Sequence, residues 1–565
     1  MKDVVQAVHE FIENNISFDT LINILRKNAI LYNKNKNKFN LRIHSYFGRF
    51  GAKCLNDIIN VVRDYVEFIH ITTKQNIEIQ NIGLEDIPNV VSQLDYFGVF
   101  NKKLSVSDFI SISYLSGINP EGVFDITDFS VRLSLVLSNL FVSKDFHPKF
   151  RIGISDCHND LGLASVSDIG LIAKIENGKK GFQVLVGGAL GELPKRAETF
   201  IDFSEYDECF KYVVAIMLYV KKFGKVRIKD IIARECFSKY EIENIKNGVD
   251  ISHLESGDNF VEFSSESVDL GIDYPIRCDG VVFKNQKQSD MFYIETVCDG
   301  GDFDLNFVKL LCFISSKFGD GKIIINNRQN FVVPNITITN SYEVKNIFRI
   351  FNVKVFDRNT SNIVACTGNF SCNLAIVDSK DISRRIRECV GDTGVNVNFS
   401  ACPNSSGHHH LGDIGVFTIS RSRGKNKILG VIVFGGYGLF NKLPIGRAFA
   451  KVPIPIVPMV VKGIIDCYKS SSFLVFQDFV KDNWRELKIK IFDILLDYGY
   501  KGSFFYDGLP IRTGSKLDII FLDLFDIEFI VYKVLKKFSG RDGFYLKMLD
   551  RCVRGFIDKV KSYID

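Results

Sequence analysis

The chain repeats itself, and that restricts its fold more than any other feature. Ile71-Thr72-Thr73-Lys74-Gln75-Asn76-Ile77-Glu78-Ile79 reads as a strand end, a tight polar turn and a new strand. Ile325-Asn326-Asn327-Arg328-Gln329-Asn330-Phe331-Val332 has the same order, with its Gln-Asn pair 254 residues later (329 − 75 = 254). A second match joins Ser167-Asp168-Ile169-Gly170 to Gly412-Asp413-Ile414-Gly415 at an offset of 245 (413 − 168 = 245). Each is followed by a charged turn and a glycine pair, Gly187-Gly188 and Gly435-Gly436. Two independent matches in one order, at nearly one offset, imply two halves of one architecture. Each half opens with strand–helix–strand: Phe39–Ser45 and Leu55–Ile71 in the first, Tyr274–Arg277 and Phe307–Phe318 in the second. Each then runs into a larger α/β lobe. The glycine pairs predict tight turns or close backbone approach at strand ends.

At 565 residues the chain exceeds one hydrophobic core, so three or four folded units are expected. An apolar fraction of 46% with 24% charged residues is that of a globular protein. A net charge of +5 over this length argues against a dedicated nucleic-acid binder. Met1–Asn15 is charged and lacks the apolar stretch of a secretory signal, and Met1–Leu31 has helical spacing. Val452–Val461, the most apolar run, is interrupted by three prolines and is too short for a bilayer. Thirteen irregularly scattered cysteines fit a reducing cytoplasm, where thiols stay free or bind metal. Asn247–Glu266 is polar and weakly patterned, a linker by composition, and the chain beyond Asp497 carries no assignable motif.

Chemistry concentrates in two segments of the second half. Ala365-Cys366-Thr367-Gly368-Asn369-Phe370-Ser371-Cys372-Asn373-Leu374-Ala375 spaces two cysteines C-x5-C. Thirty residues on, Cys402-Pro403-Asn404-Ser405-Ser406-Gly407-His408-His409-His410-Leu411-Gly412-Asp413-Ile414-Gly415 opens with a third. Three thiolates on convergent loops are what an iron–sulfur cluster needs. Three successive histidines point in different directions and are a poor set for one ion. Isolated cysteines elsewhere read as small buried apolar residues.

These segments resemble the sulfite and nitrite reductase family, whose members pair siroheme with a [4Fe–4S] cluster. The likeness runs from about Phe39 to Asp493 and is nearest to the bacterial assimilatory sulfite reductase haemoprotein. It implies an α/β fold of mixed sheets in two pseudo-repeated halves. The expected divisions are ferredoxin-like half-domains at 1–100 and 267–345, siroheme- and cluster-binding lobes at 101–246 and 346–496, a linker at 247–266, and an unassigned extension at 497–565. The family pattern of C-x5-C followed by C-x3-C assigns cluster ligation to Cys366, Cys372, Cys402 and position 406, where this chain has Ser406. A serine there leaves open a weaker cluster, a three-iron species, recruitment of Cys389, or no cluster.

Siroheme carries eight carboxylates and the substrate is an anion, so the family lines its site with cations. The matching segments give Arg42, Lys149 and Arg151 as catalytic residues. They give Arg42, Lys74, Gln75, Asn76, Arg328 and Gln329 as siroheme contacts. A further arginine of the family falls on Asp108 in an ungapped match. The implied activity is six-electron reduction of sulfite to sulfide, with electrons from ferredoxin or a flavoprotein reductase. Ferredoxin–nitrite reductase, a precorrin-3B synthase-like enzyme and a non-catalytic descendant are the alternatives.

Overall fold

The computed structural model describes residues 2–96, 109–191, 193–250, 267–269, 271, 276–357, 360–420, 428–435 and 446–498. Asp108, Tyr274-Pro275, linker residues 251–266, Gly436 and the extension from 499 onward lie outside them. Residues 1–494 make one compact unit; a second, 495–565, is described only as far as Tyr498. No helix among the described residues is long and apolar enough to cross a membrane.

After helices Lys2–Ile12 and Phe18–Lys27 come strands β1 (Ile30–Asn33), β2 (Lys38–Ile43), β3 (Arg49–Gly51), β4 (Phe68–Ile71) and β5 (Ile77–Ile82). The first lobe supplies β6 (Ile110–Ile112), β7 (Ile152–Ser155), β8 (Ile169–Glu176), β9 (Lys179–Val186) and β10 (Glu198–Glu205). The second half repeats this with β11 (Gly280–Asn285), β12 (Met291–Val297), β13 (Asp302–Asp304), β14 (Lys322–Ile325), β15 (Phe331–Thr337) and β16 (Val355–Phe356). Its lobe holds β17 (Ile363–Ala365), β18 (Val397–Ser400), β19 (Ile414–Ser420), β20 (Ile428–Phe434) and β21 (Arg447–Pro453). The second half's first strand begins at Gly280, because Ile276–Asp279 are irregular.

The lobes are copies. One sheet runs β10-β9-β8-β7-β6 and the other β21-β20-β19-β18-β17. In both, the first three strands in chain order are parallel and the last two antiparallel. Runs such as Ile-Gly-Leu-Ile-Ala and Ile-Leu-Gly-Val-Ile-Val-Phe are apolar throughout, as in buried sheets, and helix Tyr206–Lys221 packs on the first lobe's sheet at β9 and β10.

The half-domains are copies that exchange a strand. The first sheet runs β1-β2-β5-β4-β13, ending on a strand of the second half. The second runs β16-β11-β12-β15-β14-β3, ending on a strand of the first. Asp302, Phe303 and Asp304 stand opposite His70, Ile69 and Phe68, while Arg49, Phe50 and Gly51 stand opposite Ile324, Ile323 and Lys322. Helices Ala52–Val62 and Leu305–Phe318 pack together beneath, so both sheets share one hydrophobic core.

The motif that revealed the repeat closes this exchange reciprocally. Gln75 Nε2 donates to Ile325 O, and Gln329 Nε2 donates to Ile71 O, both at 2.8 Å. Each glutamine passes beneath a glycine with φ +76°, Gly48 and Gly301, where a Cβ would stand 2.5 Å from Ile325 O and 2.7 Å from Ile71 O. Both glutamines are almost fully buried.

Candidate functional site

A cavity of about 600 Å³ opens where the first half-domain meets both lobes. Its floor comes from β2, the 72–74 turn and Glu78 of β5; its walls come from Phe109–Ser111, Lys149, Arg151 and the two cysteine loops. Cys366, Cys372 and Cys402 all reach it, as does Ser406. The sequence places these donors 40 residues apart at the extremes, and parallel pairing of β17 with β18 brings their ends side by side.

The loops are pinned by hydrogen bonds. Cys366 Sγ accepts from Ala401 N at 3.1 Å. The first half-domain holds the C-x5-C loop from below: Asn33 Nδ2 donates to Phe370 O at 2.7 Å and Asn40 Nδ2 to Ser371 O at 3.1 Å. Thr73 Oγ1 donates to Ser406 O at 2.8 Å, and Lys149 Nζ to Asn404 Oδ1 at 2.8 Å, tying the Cys402 loop to the first half. Burial pushes the Cys366 and Cys372 thiols above their ordinary pKa, so loading metal there releases protons.

Cations surround the thiols. Arg26, Lys34, Arg42, Lys74, Lys149 and Arg151 line the cavity against one carboxylate, Glu78. Glu78 is nearly buried and pairs with Arg42 Nη2 at 2.8 Å. Although burial pushes its carboxyl up, Arg42 and His70 hold it below the usual carboxylate range. Arg42 Nε is buried with no hydrogen-bond partner. Arg227, also on the wall, is committed to Asp168 at 2.7 Å. His70 faces the cavity, with Nδ1 2.7 Å from Asp302 Oδ1.

The histidine run separates as its geometry requires. Only His408 lines the cavity, and burial, reinforced by Lys74 and Arg151, brings its pKa down to about 4. His409 stacks on Phe417 with ring centroids 4.5 Å apart, and His410 Nε2 lies 3.1 Å from Gly191 O of the first lobe. Among the described residues no three His, Cys, Asp or Glu side chains are grouped as for a single metal ion. A lone ion needs every donor within roughly 2.3 Å, whereas a cluster takes one thiolate per iron and spreads them.

Of the siroheme contacts expected from sequence, Arg42, Lys74 and Gln329 line the cavity. Gln75 and Asn76 do not: Gln75 locks the halves, and Asn76 Oδ1 accepts from Ser45 N at 3.3 Å. Arg328 is absent from the lining too, for a reason the repeat supplies. It is the counterpart of Lys74 (328 − 74 = 254) and belongs to a second, filled copy of the site. There Asn327 Nδ2 donates to Leu161 O at 2.7 Å, as Thr73 does to Ser406 O. The counterparts of Cys366, Cys372, Cys402 and Ser406 are Ser113, Asn119, Cys157 and Leu161 (offsets 253, 253, 245 and 245). Ser113 Oγ accepts from Asp156 N at 3.1 Å, as Cys366 Sγ does from Ala401 N, and Asn119 Nδ2 reaches Cys157 Sγ at 3.3 Å. Tyr114, Leu115, Ile118, Tyr293, Ile324 and Val332 form an apolar cluster there, with Leu161 against it. Sequence reading missed this copy, although the 245-residue offset sets Cys157 opposite Cys402. It also missed Glu78 and His70, which carry no motif of their own.

The residues present fit an anionic macrocycle beside an iron–sulfur group. Three thiols line one cavity, an arginine Nε is orphaned, and cations outnumber acids on the wall. A duplicated α/β protein with such a cavity falls in the class of siroheme and iron–sulfur redox proteins. Residues 109–241 match the nitrite and sulphite reductase 4Fe-4S domain, and residues 32–95 match the nitrite/sulfite reductase ferredoxin-like half domain. Over those two stretches the chain resembles the nitrite and sulphite reductase family, whose members use siroheme and a [4Fe–4S] cluster. It is 23% identical over 460 residues to a chloroplastic ferredoxin–nitrite reductase of Arabidopsis thaliana, covering 76% of each chain. With the rice (Oryza sativa subsp. japonica) enzyme of that name it is 23% identical over 373 residues, 61% of this chain and 60% of that one. The Mycobacterium tuberculosis NirA structure superposes with a TM-score of 0.63 at 16% identity, covering 84% of this chain and 94% of that one.

Proposed function

We propose that the protein reduces a small oxyanion by six electrons, with nitrite its first substrate and sulfite its competitor. The observation that carries this is one cavity joining three thiols to seven basic side chains. Sulfite comes first from the sequence likeness; the plant relatives, named for nitrite, support placing nitrite ahead. Siroheme and the cluster, when bound, would relay the donor's electrons and supply the atom that holds the substrate.

The chain's own residues do the rest. Arg42, Lys149 and Arg151 neutralise and orient the anion, while Lys74 and Gln329 meet the macrocycle's rim. Arginine keeps its protons at any working pH, so Lys149 and Lys74 are the side chains of this set able to release one. Glu78 keeps Arg42 aimed across the floor. Gln75, Asn76 and Arg328 act on the frame around the cavity and on its filled counterpart. Cys366, Cys372 and Cys402 hold the iron–sulfur group, and ferredoxin is the electron donor that the relatives' names support.

The test is turnover of nitrite and of sulfite by the cofactor-loaded protein with reduced ferredoxin, in native and Lys149→Ala forms. Nitrite turnover with the larger kcat/KM, falling about 100-fold in Lys149→Ala, is expected. A loaded protein that turns over neither anion refutes the assignment and leaves a non-catalytic descendant.

A further inference from the structure

We propose that the iron–sulfur site is built on three thiolates, its fourth corner left to an exchangeable oxygen ligand from the cavity. This rests on the function proposed above. Cys366, Cys372 and Cys402 reach the cavity, and no fourth thiol among the described residues does. Cys389 is turned toward Lys462 and Asp466 of helix Val457–Lys469. Cys298 Sγ donates to Asp302 O at 3.0 Å, and Cys157 belongs to the filled copy. Recruitment of Cys389, one of the outcomes the sequence left open, has no geometry behind it.

Two serines line the cavity at and beside the family's fourth ligand position. Ser406 is exposed on the cavity wall. Ser405 is buried at φ +61°, lines the same wall, and its Oγ has no hydrogen-bond partner. In the filled copy the corresponding Asp160 accepts from Ser155 Oγ, Ala164 N and Ser165 N at 2.6, 2.6 and 2.8 Å. The second lobe lacks that carboxylate and leaves a buried hydroxyl unsatisfied. A neutral hydroxyl is a weak iron donor compared with a thiolate. The surrounding Arg42, Lys149 and Arg151 favour an anionic oxygen donor instead: hydroxide, or a small oxyanion of the substrate's own class.

A corner held this way is the one that leaves on oxidation. The balanced step is [4Fe–4S]²⁺ → [3Fe–4S]⁺ + Fe²⁺ + e⁻, the electron passing to ferricyanide as oxidant. The experiment uses the full chain, loaded anaerobically with iron and sulfide and treated with one equivalent of ferricyanide. Iron and sulfide are counted, and EPR spectra are recorded, for the native protein, Ser406→Cys and Ser406→Ala. Expected is loss of one iron in four from native and Ser406→Ala alike, with the EPR signal of a three-iron cluster, while Ser406→Cys keeps all four and shows none. Native protein that resists as Ser406→Cys does, or Ser406→Ala that loses iron faster than native, would mean the serine oxygen itself holds the iron, overturning the proposal. Equal iron loss from all three overturns it too. Absence of iron and sulfide from every form would instead refute the cofactor assignment beneath it.

Discussion

Replacing Gln329 with leucine tests the reciprocal lock between the halves. Gln329 Nε2 donates to Ile71 O at 2.8 Å, and its Oε1 accepts from Ala365 N at 2.8 Å. Leucine fills the same volume but leaves both backbone groups unpaired in a site with 1% exposure. Each orphaned buried group costs about 1–3 kcal/mol, so Gln329→Leu should lose about 2–6 kcal/mol. Gln75→Leu orphans mainly Ile325 O, because its other contact, Ser111 Oγ, lies at 3.5 Å; its loss should be about 1–3 kcal/mol. The assay is urea unfolding of the cofactor-free chain, comparing midpoints only where the slope m is unchanged. Equal losses, or losses below about 0.5 kcal/mol in both, would refute the reasoning by showing that water or a backbone shift satisfies those carbonyls.

Gly48→Ala and Gly301→Ala should each lower stability by about 2 kcal/mol or more, since the new methyl meets a backbone oxygen in a left-handed conformation; thermal unfolding of the two should shift together. Asp168→Asn removes the partner of the buried Arg227 and should cost about 3–5 kcal/mol in denaturant unfolding, whereas Asp413→Asn, whose bonds are to Asn396 and Gln477, should cost about 1–3 kcal/mol. Glu78 has a folded pKa below its unfolded value of about 4.3, so its contribution is present above that pH and lost as pH falls through the folded value; Glu78→Gln should flatten the acid limb of the stability–pH curve there.

The duplication was legible because turn chemistry at Gln75 and Gln329, and Asp-Ile-Gly at the start of β8 and β19, are local patterns. Asp168 accepts from Arg151 N at 2.9 Å and Asp413 from Asn396 N at 2.8 Å, so that motif survives in both copies for one backbone reason. Convergence of the three cysteines was likewise legible from their neighbours. The strand exchange was not, because β3 and β13 are three residues long and pair with strands more than 230 residues away in sequence, beyond any periodicity. The same blindness hid the asymmetry of the repeats. Arg328 shares the turn chemistry of Lys74, yet whether such a turn faces a cavity or an apolar plug depends on Tyr114 and Tyr293, remote in sequence. Glu78 alternates correctly for a strand, and nothing in that alternation says its face is lined with cations.

The exchanged strands also record an order of events. A single ancestral half, folded alone, would expose the edge of β4 where β13 now sits, an open invitation to a second chain. A swapped pair of such halves would carry two equal sites related by its two-fold axis, with assembly dependent on concentration. Fusion of the two copies made association intramolecular, at an effective concentration of roughly millimolar, and released the sites from identity. One was then free to close over tyrosines and Leu161 while the other kept its thiols. The cavity's single occupancy is thus a freedom that only a covalent dimer possesses.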